Sequence, residues 1–150
     1  MKIFVDADAC PKPIKQILYR LADRTRIEII FVANRSLDLP RLPTLKAIRV
    51  QSGFDKADDY ILEHSSAKDL IITADLPFAA ALIQKGAQAI NPRGEFYTKD
   101  NVRERLNLRD FAYTLRASCI NTGGPPSLSK QDRMNFANAL DRYITKNMEP

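Results

Sequence analysis

Five short apolar runs, at residues 2–5, 27–33, 47–51, 69–73 and 87–90, alternate with stretches whose apolar residues recur every three or four positions. No other feature constrains the fold as much. Runs of this length rich in Ile, Val and Phe read as buried strands. Ile14, Ile17, Leu18 and Leu21 follow the first run at helical spacing, with Pro13 a suitable first helical residue because a first turn leaves its N–H unpaired anyway. Pro40 and Pro43 make residues 36–44 a loop or broken turn. Ala57, Tyr60, Ile61 and His64 mark a second helix. A third is expected over about 77–85, capped by Asp75 and stopped by Gly86. Strands alternating with helices in this way imply right-handed βαβ crossovers. The expected fold class is α/β, with a mostly parallel, roughly five-stranded sheet covered on both faces.

Beyond residue 95 the pattern turns helical, with apolar stripes at Val102 and Leu106, at Leu108, Phe111, Ala112 and Leu115, and at Phe136, Ala137, Leu140 and Ile144. Ser129 and Asp132 resemble a capping box before the last stripe. The Asn121–Pro126 segment, rich in Gly and Pro, reads as a loop within one domain spanning 1–150. A chain of 150 residues is long enough to bury about 70% of its unfolded surface around one core. Two cysteines, Cys10 and Cys119, form neither a disulfide framework nor a zinc spacing. The apolar run Ile3–Val5 is too short for a signal-peptide core, and no stretch is long enough to span a membrane. The expected location is the cytoplasm, with no membrane partner.

In open parallel sheets ligands bind outside the carboxyl ends of the strands, where the strand order reverses. Asp6 and Asp8 lie at the exit of the first strand and Asp75 at the exit of the fourth. If those strands are neighbours, the three acids meet at one edge. Asp55, Asp58 and Asp59 follow the third strand, and Asp55 and Asp59 would share a helix face. Clustered carboxylates repel one another, which costs stability unless a cation neutralises them. Oxygen ligands favour Mg²⁺ or Mn²⁺, which need only a few carboxylates, can activate water and can stabilise charge on a phosphodiester. Each acid also has a plainer role. Asp55 and Asp75 suit N-caps and Asp58 suits a first helical turn. Asp6 and Asp8 have no such role, because the next helix begins near Pro13.

Other candidates are more ambiguous. His64 reads as helix C-terminal structure and Cys10 as a small buried residue. Lys12 sits near the acids; Asn34, Arg35 and Ser36 follow the second strand; Asn91 and Arg93 follow the fifth. Each suits either phosphate contact or loop hydrogen bonding. The Gly123–Gly124 turn is a weak anion-cradle candidate. The formal charge is +5, and residues 12–49 carry nine Lys/Arg against three Asp/Glu, whereas residues 50–75 carry six acids against two lysines. A basic stretch followed by an acidic one suits a protein that gathers phosphates and acts on them through a metal; the alternative is a solvated face with scattered charge.

The segments DADACP (6–11), VAN (32–34), GFDKADDYI (53–61), DLIITAD (69–75), INPRGE (90–95) and GGPP (123–126) together resemble the YaiI/YqxD family of uncharacterised bacterial proteins over nearly the whole chain. That family is grouped with the PIN-like nucleases, so the resemblance implies a PIN-like three-layer α/β/α domain with a helical C-terminal portion and metal-dependent nuclease ancestry. It makes Asp6 the first-strand metal ligand with Asp8 beside it, and Asp75 the acid after the fourth strand. Asp58 or Asp59 is the nearest match to the central-helix acid.

The leading expectation is a metal-dependent phosphodiesterase acting on RNA or another nucleic acid, RNA being favoured over DNA, with Mg²⁺ or Mn²⁺ held by Asp6, Asp75, Asp8 and Asp58. Asp59 would position water, and Lys12, Asn34, Arg35, Ser36, Asn91 and Arg93 would contact substrate. One alternative is a non-catalytic RNA-binding or regulatory module on the same fold. Another is a haloacid-dehalogenase-type phosphatase with Asp6 as nucleophile, since a strand followed by Asp-x-Asp also opens that fold and Leu70–Thr73 mimics its second motif.

Overall fold

The computed structural model describes residues 1–51, 56–106 and 128–147. Its elements, in chain order, are β1 (Lys2–Asp6), a 3₁₀ turn (Ala7–Ala9), α1 (Lys12–Thr25), β2 (Glu28–Ala33), β3 (Leu45–Arg49), α2 (Lys56–His64), β4 (Leu70–Ile72), α3 (Leu76–Lys85) and β5 (Gln88–Ile90). Helical residues 99–106 (α4) and Lys130–Asn147 (α5) complete it. The expected helix around Leu108–Leu115 and the Gly123–Gly124 loop lie outside the described residues, as does Asp55.

The five strands form one sheet in the order β3-β2-β1-β4-β5, and every pair is parallel. The chain moves outward from β1 to β3, then returns across β1 to β4 and β5. The order therefore reverses between β1 and β4, which pair Ile3 with Leu70 and Val5 with Ile72. Both faces are covered, so the central strands carry unbroken apolar runs. Ile3, Val5, Ile29, Phe31, Leu70 and Ile72 pack on one face against α1 and against Phe136, Leu140 and Ile144 of α5. Phe4, Ile30, Val32 and Ile71 pack on the other against α2, α3 and Val102 of α4. Fully burying each of these side chains contributes about 1.5–3 kcal/mol.

Local chemistry sets the boundaries. Pro11 occupies the N-cap of α1, with Lys12 the first helical residue and Pro13 within the first turn, one position later than the sequence suggests. β3 begins at Leu45, two residues before the apolar run, because Leu45 pairs with Ile29 and is buried there. The link from β2 to β3 contains no helix. Residues 34–44 carry Pro40 and Pro43 and cross in a loop of bends that ends in a turn, where the Leu45 N–H donates to the Leu42 carbonyl. Gly86 ends α3 in the left-handed conformation (φ 94°). The capping box of α5 forms as expected: the Ser129 N–H donates to Asp132 Oδ2 and the Asp132 N–H to Ser129 Oγ, both at 3.0 Å. After β5, residues 91–95 make a tight turn that antiparallel pairing of Ile90 with Phe96 closes. Within it Gly94 (φ 90°) lies so close to α5 that a Cβ there would sit 2.6 Å from the Asn135 backbone. Among the described residues no helix is long and apolar enough to cross a membrane.

Candidate active site

Asp6 ends β1, and its register with Val32 on β2 places it at the carboxyl edge. It is 7% exposed. Although it precedes the 3₁₀ turn, its side chain makes no capping hydrogen bond there. Its carboxylate instead accepts from across the sheet: Thr73 Oγ1 donates to Asp6 Oδ2 at 3.2 Å. Burial pushes the Asp6 carboxyl up to about 6; the Thr73 hydroxyl opposes that rise, while the charges of Asp75 and Asp8 add to it.

Thr73 joins the two strand exits. Just beyond β4 and 1% exposed, it also accepts from the Asp75 N–H at 3.0 Å. Its own carbonyl accepts from the buried Tyr97 hydroxyl at 3.1 Å, whose proton burial holds up to about 12. Nothing in the sequence singles out either residue. A Thr at the end of a β-branched run reads as strand, and Tyr97 reads as core. Only the pairing of β1 with β4 brings them to Asp6.

Asp75 has the structural role expected of it, accepting from the Phe78 N–H at 3.0 Å as N-cap of α3. Only Oδ1 takes part. Asp8 lies within the 3₁₀ turn, where its Oδ2 accepts from the Asn34 N–H at 2.9 Å and its Oδ1 is 3.7 Å from Arg35 Nε. Asp58 and Asp59 open α2, which follows β3 and so begins at the same edge. Asp59 is exposed and Asp58 half-buried. Among the described residues no three His, Cys, Asp or Glu side chains converge closely enough to hold a metal ion between them.

The substrate candidates divide. Lys12, Asn34, Arg35 and Ser36 are exposed. Asn91 builds the β5 turn, where its Oδ1 accepts from the N–H groups of Arg93 and Glu95. Arg93 pairs with Asp132 of α5. His64 caps its own helix, with Nδ1 2.9 Å from the Tyr60 carbonyl and its ring stacked on Tyr60 at 3.9 Å. Cys10 is buried, which pushes its thiol up to about 12 and makes it a poor nucleophile.

A parallel sheet with both faces covered, whose order reverses beside a buried carboxylate and two flanking ones, defines an open α/β domain with an acidic crevice at its switch point. Within that class the chain belongs to the YaiI/YqxD family, whose model matches residues 4–146. It is 58% identical over 144 residues to a UPF0178 protein of Proteus mirabilis, covering 96% of this chain and 95% of that one. A UPF0178 protein of Pectobacterium carotovorum is 53% identical over 150 residues, the full length of both. One from Colwellia psychrerythraea is 55% identical over 146 residues, 97% of each. No solved structure matches.

Proposed function

We propose that the protein is a metal-dependent phosphodiesterase acting on RNA, using Mg²⁺ or Mn²⁺ at the crevice between β1 and β4. One observation carries the reading: Asp6 is buried beside Asp75 and Asp8, whose charges oppose its ionisation. A fold that keeps such a group gives up stability, and a divalent cation would restore it. The donors fit a hard ion. Asp6 and Asp75 each have a carboxylate oxygen beyond those held by Thr73 and Phe78, and Mg²⁺ is commonly held by one or two carboxylates with water completing its shell. Asp8 lies nearby, and Asp58 and Asp59 are carried by the first turn of α2. When bound, the ion supplies an activated water and stabilises charge on the phosphate. Thr73 orients Asp6 and ties it to the backbone of Asp75. The PIN-like grouping is compatible with the same topology and the same acids.

A second reading is a non-catalytic RNA-binding module. It draws support from the existing bonds of Asp8 and Asp75 and from the absence of a ready three-carboxylate cluster among the described residues. The aspartyl-phosphate alternative has less behind it, since a nucleophile must be accessible to the phosphorus and Asp6 is buried. Calorimetric titration of the metal-free protein with Mn²⁺ and Mg²⁺ is the test. Binding that disappears in both Asp6→Asn and Asp75→Asn supports the phosphodiesterase. RNA binding that needs no metal and survives Asp6→Asn supports the module, and a stable beryllofluoride adduct at Asp6 would revive the phosphatase.

A further inference from the structure

The crevice is flanked by cations unequally. On one side Arg35 follows β2 and Arg49 ends β3, and the register of Ala33 with Arg49 brings their strand exits together. Arg49 Nη1 donates to Ser36 Oγ at 3.4 Å, while the Asn34 N–H and Arg35 both face Asp8. A continuous row of donors thus runs from the acids outward through Asn34, Arg35 and Ser36 to Arg49. The Arg35 side chain is 64% exposed and its contact with Asp8, at 3.7 Å, is loose. Lys12, also exposed, opens α1 at the same edge.

The β5 side differs. Arg93 and Arg105 are each only a third exposed, and each is paired, with Asp132 and Glu95 respectively. The first turn of α2 adds no positive strip, because Lys56 is followed by Asp58 and Asp59. We infer that the RNA backbone crosses the exits of β2 and β3, with phosphates held by Arg35 and Arg49, and does not cross the β5 side. This rests on the phosphodiesterase reading and adds a direction to it. An exposed guanidinium held loosely at 3.7 Å can turn to a phosphate and bind it through two parallel hydrogen bonds. An arginine already neutralised in a half-buried pair must first break that pair.

Fluorescence anisotropy with a labelled single-stranded oligoribonucleotide tests this, measured in EDTA to prevent cleavage and again in Ca²⁺ across a range of KCl. Arg35→Gln with Arg49→Gln should weaken binding roughly ten-fold and lower the log–log salt slope by about 1.4, the value for two lost single-strand phosphate contacts. Arg93→Gln with Arg105→Gln should leave binding within about two-fold. If that pair perturbs folding, Arg105→Gln alone serves, since Glu95 is exposed. Wild-type binding that the β2–β3 variant leaves unchanged, or that the β5 variants reduce more, overturns the inference and leaves the proposed function standing. Wild-type protein that binds RNA in neither EDTA nor Ca²⁺ overturns both.

Discussion

Replacing Asp6 with Asn should make the metal-free protein more stable at neutral pH. The folded state holds the Asp6 proton with a pKa of about 6 against an ordinary 3.8, so ionising this group favours unfolding. In that window the native state binds more protons than the unfolded chain, and stability falls as pH rises from 3.8 to about 6. At about 1.4 kcal/mol per pH unit, the full penalty above the folded pKa is roughly 3 kcal/mol. Asn removes the charge and keeps an oxygen to accept from Thr73, so most of that penalty should return as stability. Urea denaturation in EDTA is the assay. The expected gain is roughly 2–3 kcal/mol at pH 7.5, shrinking to about 1 kcal/mol at pH 4.5, and thermal melts should rise by about 2–4 °C per kcal/mol for a chain of this size. With Mn²⁺ at about a hundred times its dissociation constant, wild type alone should gain about 2.7 kcal/mol. A variant destabilised at pH 7.5, or stabilised equally at both pH values, would refute the electrostatic account of the crevice.

Thr73→Val keeps the shape but removes the donor to Asp6 and the acceptor for the Asp75 N–H; it should cost about 1–3 kcal/mol by urea denaturation, and Thr73→Ser should recover most of that. Asp75→Ala removes the α3 cap and should cost about 1 kcal/mol, whereas Asp75→Asn should retain stability and lose metal binding, a contrast that calorimetry beside thermal melts would expose. Gly94→Ala forces a side chain into a left-handed turn and against the α5 backbone, so about 2 kcal/mol or more should be lost in a denaturant titration.

The sheet and the acids at its edge were legible because both follow from short-range patterns. Apolar runs too short for helices could only be strands, and Asp6, Asp8 and Asp75 follow two of them directly. The pairing of β1 with β4 has no local signal in the sequence. The β3 boundary depended on Leu45, which sits in a stretch of mixed polarity and is buried only because Ile29 lies opposite. The roles of Thr73, Tyr97 and Asn34 arise from contacts across 67, 24 and 26 residues of sequence, and no local signal encodes them. Arg93 shows the converse: a basic residue at a strand exit reads as available, and its Asp132 partner comes from a helix 39 residues away.

β1, the first strand in the order of this sequence, is also the central one, flanked by β2 and β4. As the chain emerges from the ribosome, β1 can join β2 early, but its other edge stays open until β4 has been synthesised some 67 residues later, a separation that the Lys2–Asp69 and Asp6–Thr73 bonds both span. Such long-range pairings form slowly and leave apolar strand edges exposed meanwhile. The acidic edge therefore cannot close until β4 has been made, about halfway along the chain, and a nascent chain stalled before β4 holds Asp6 and Asp8 without the Thr73 and Asp75 that face them.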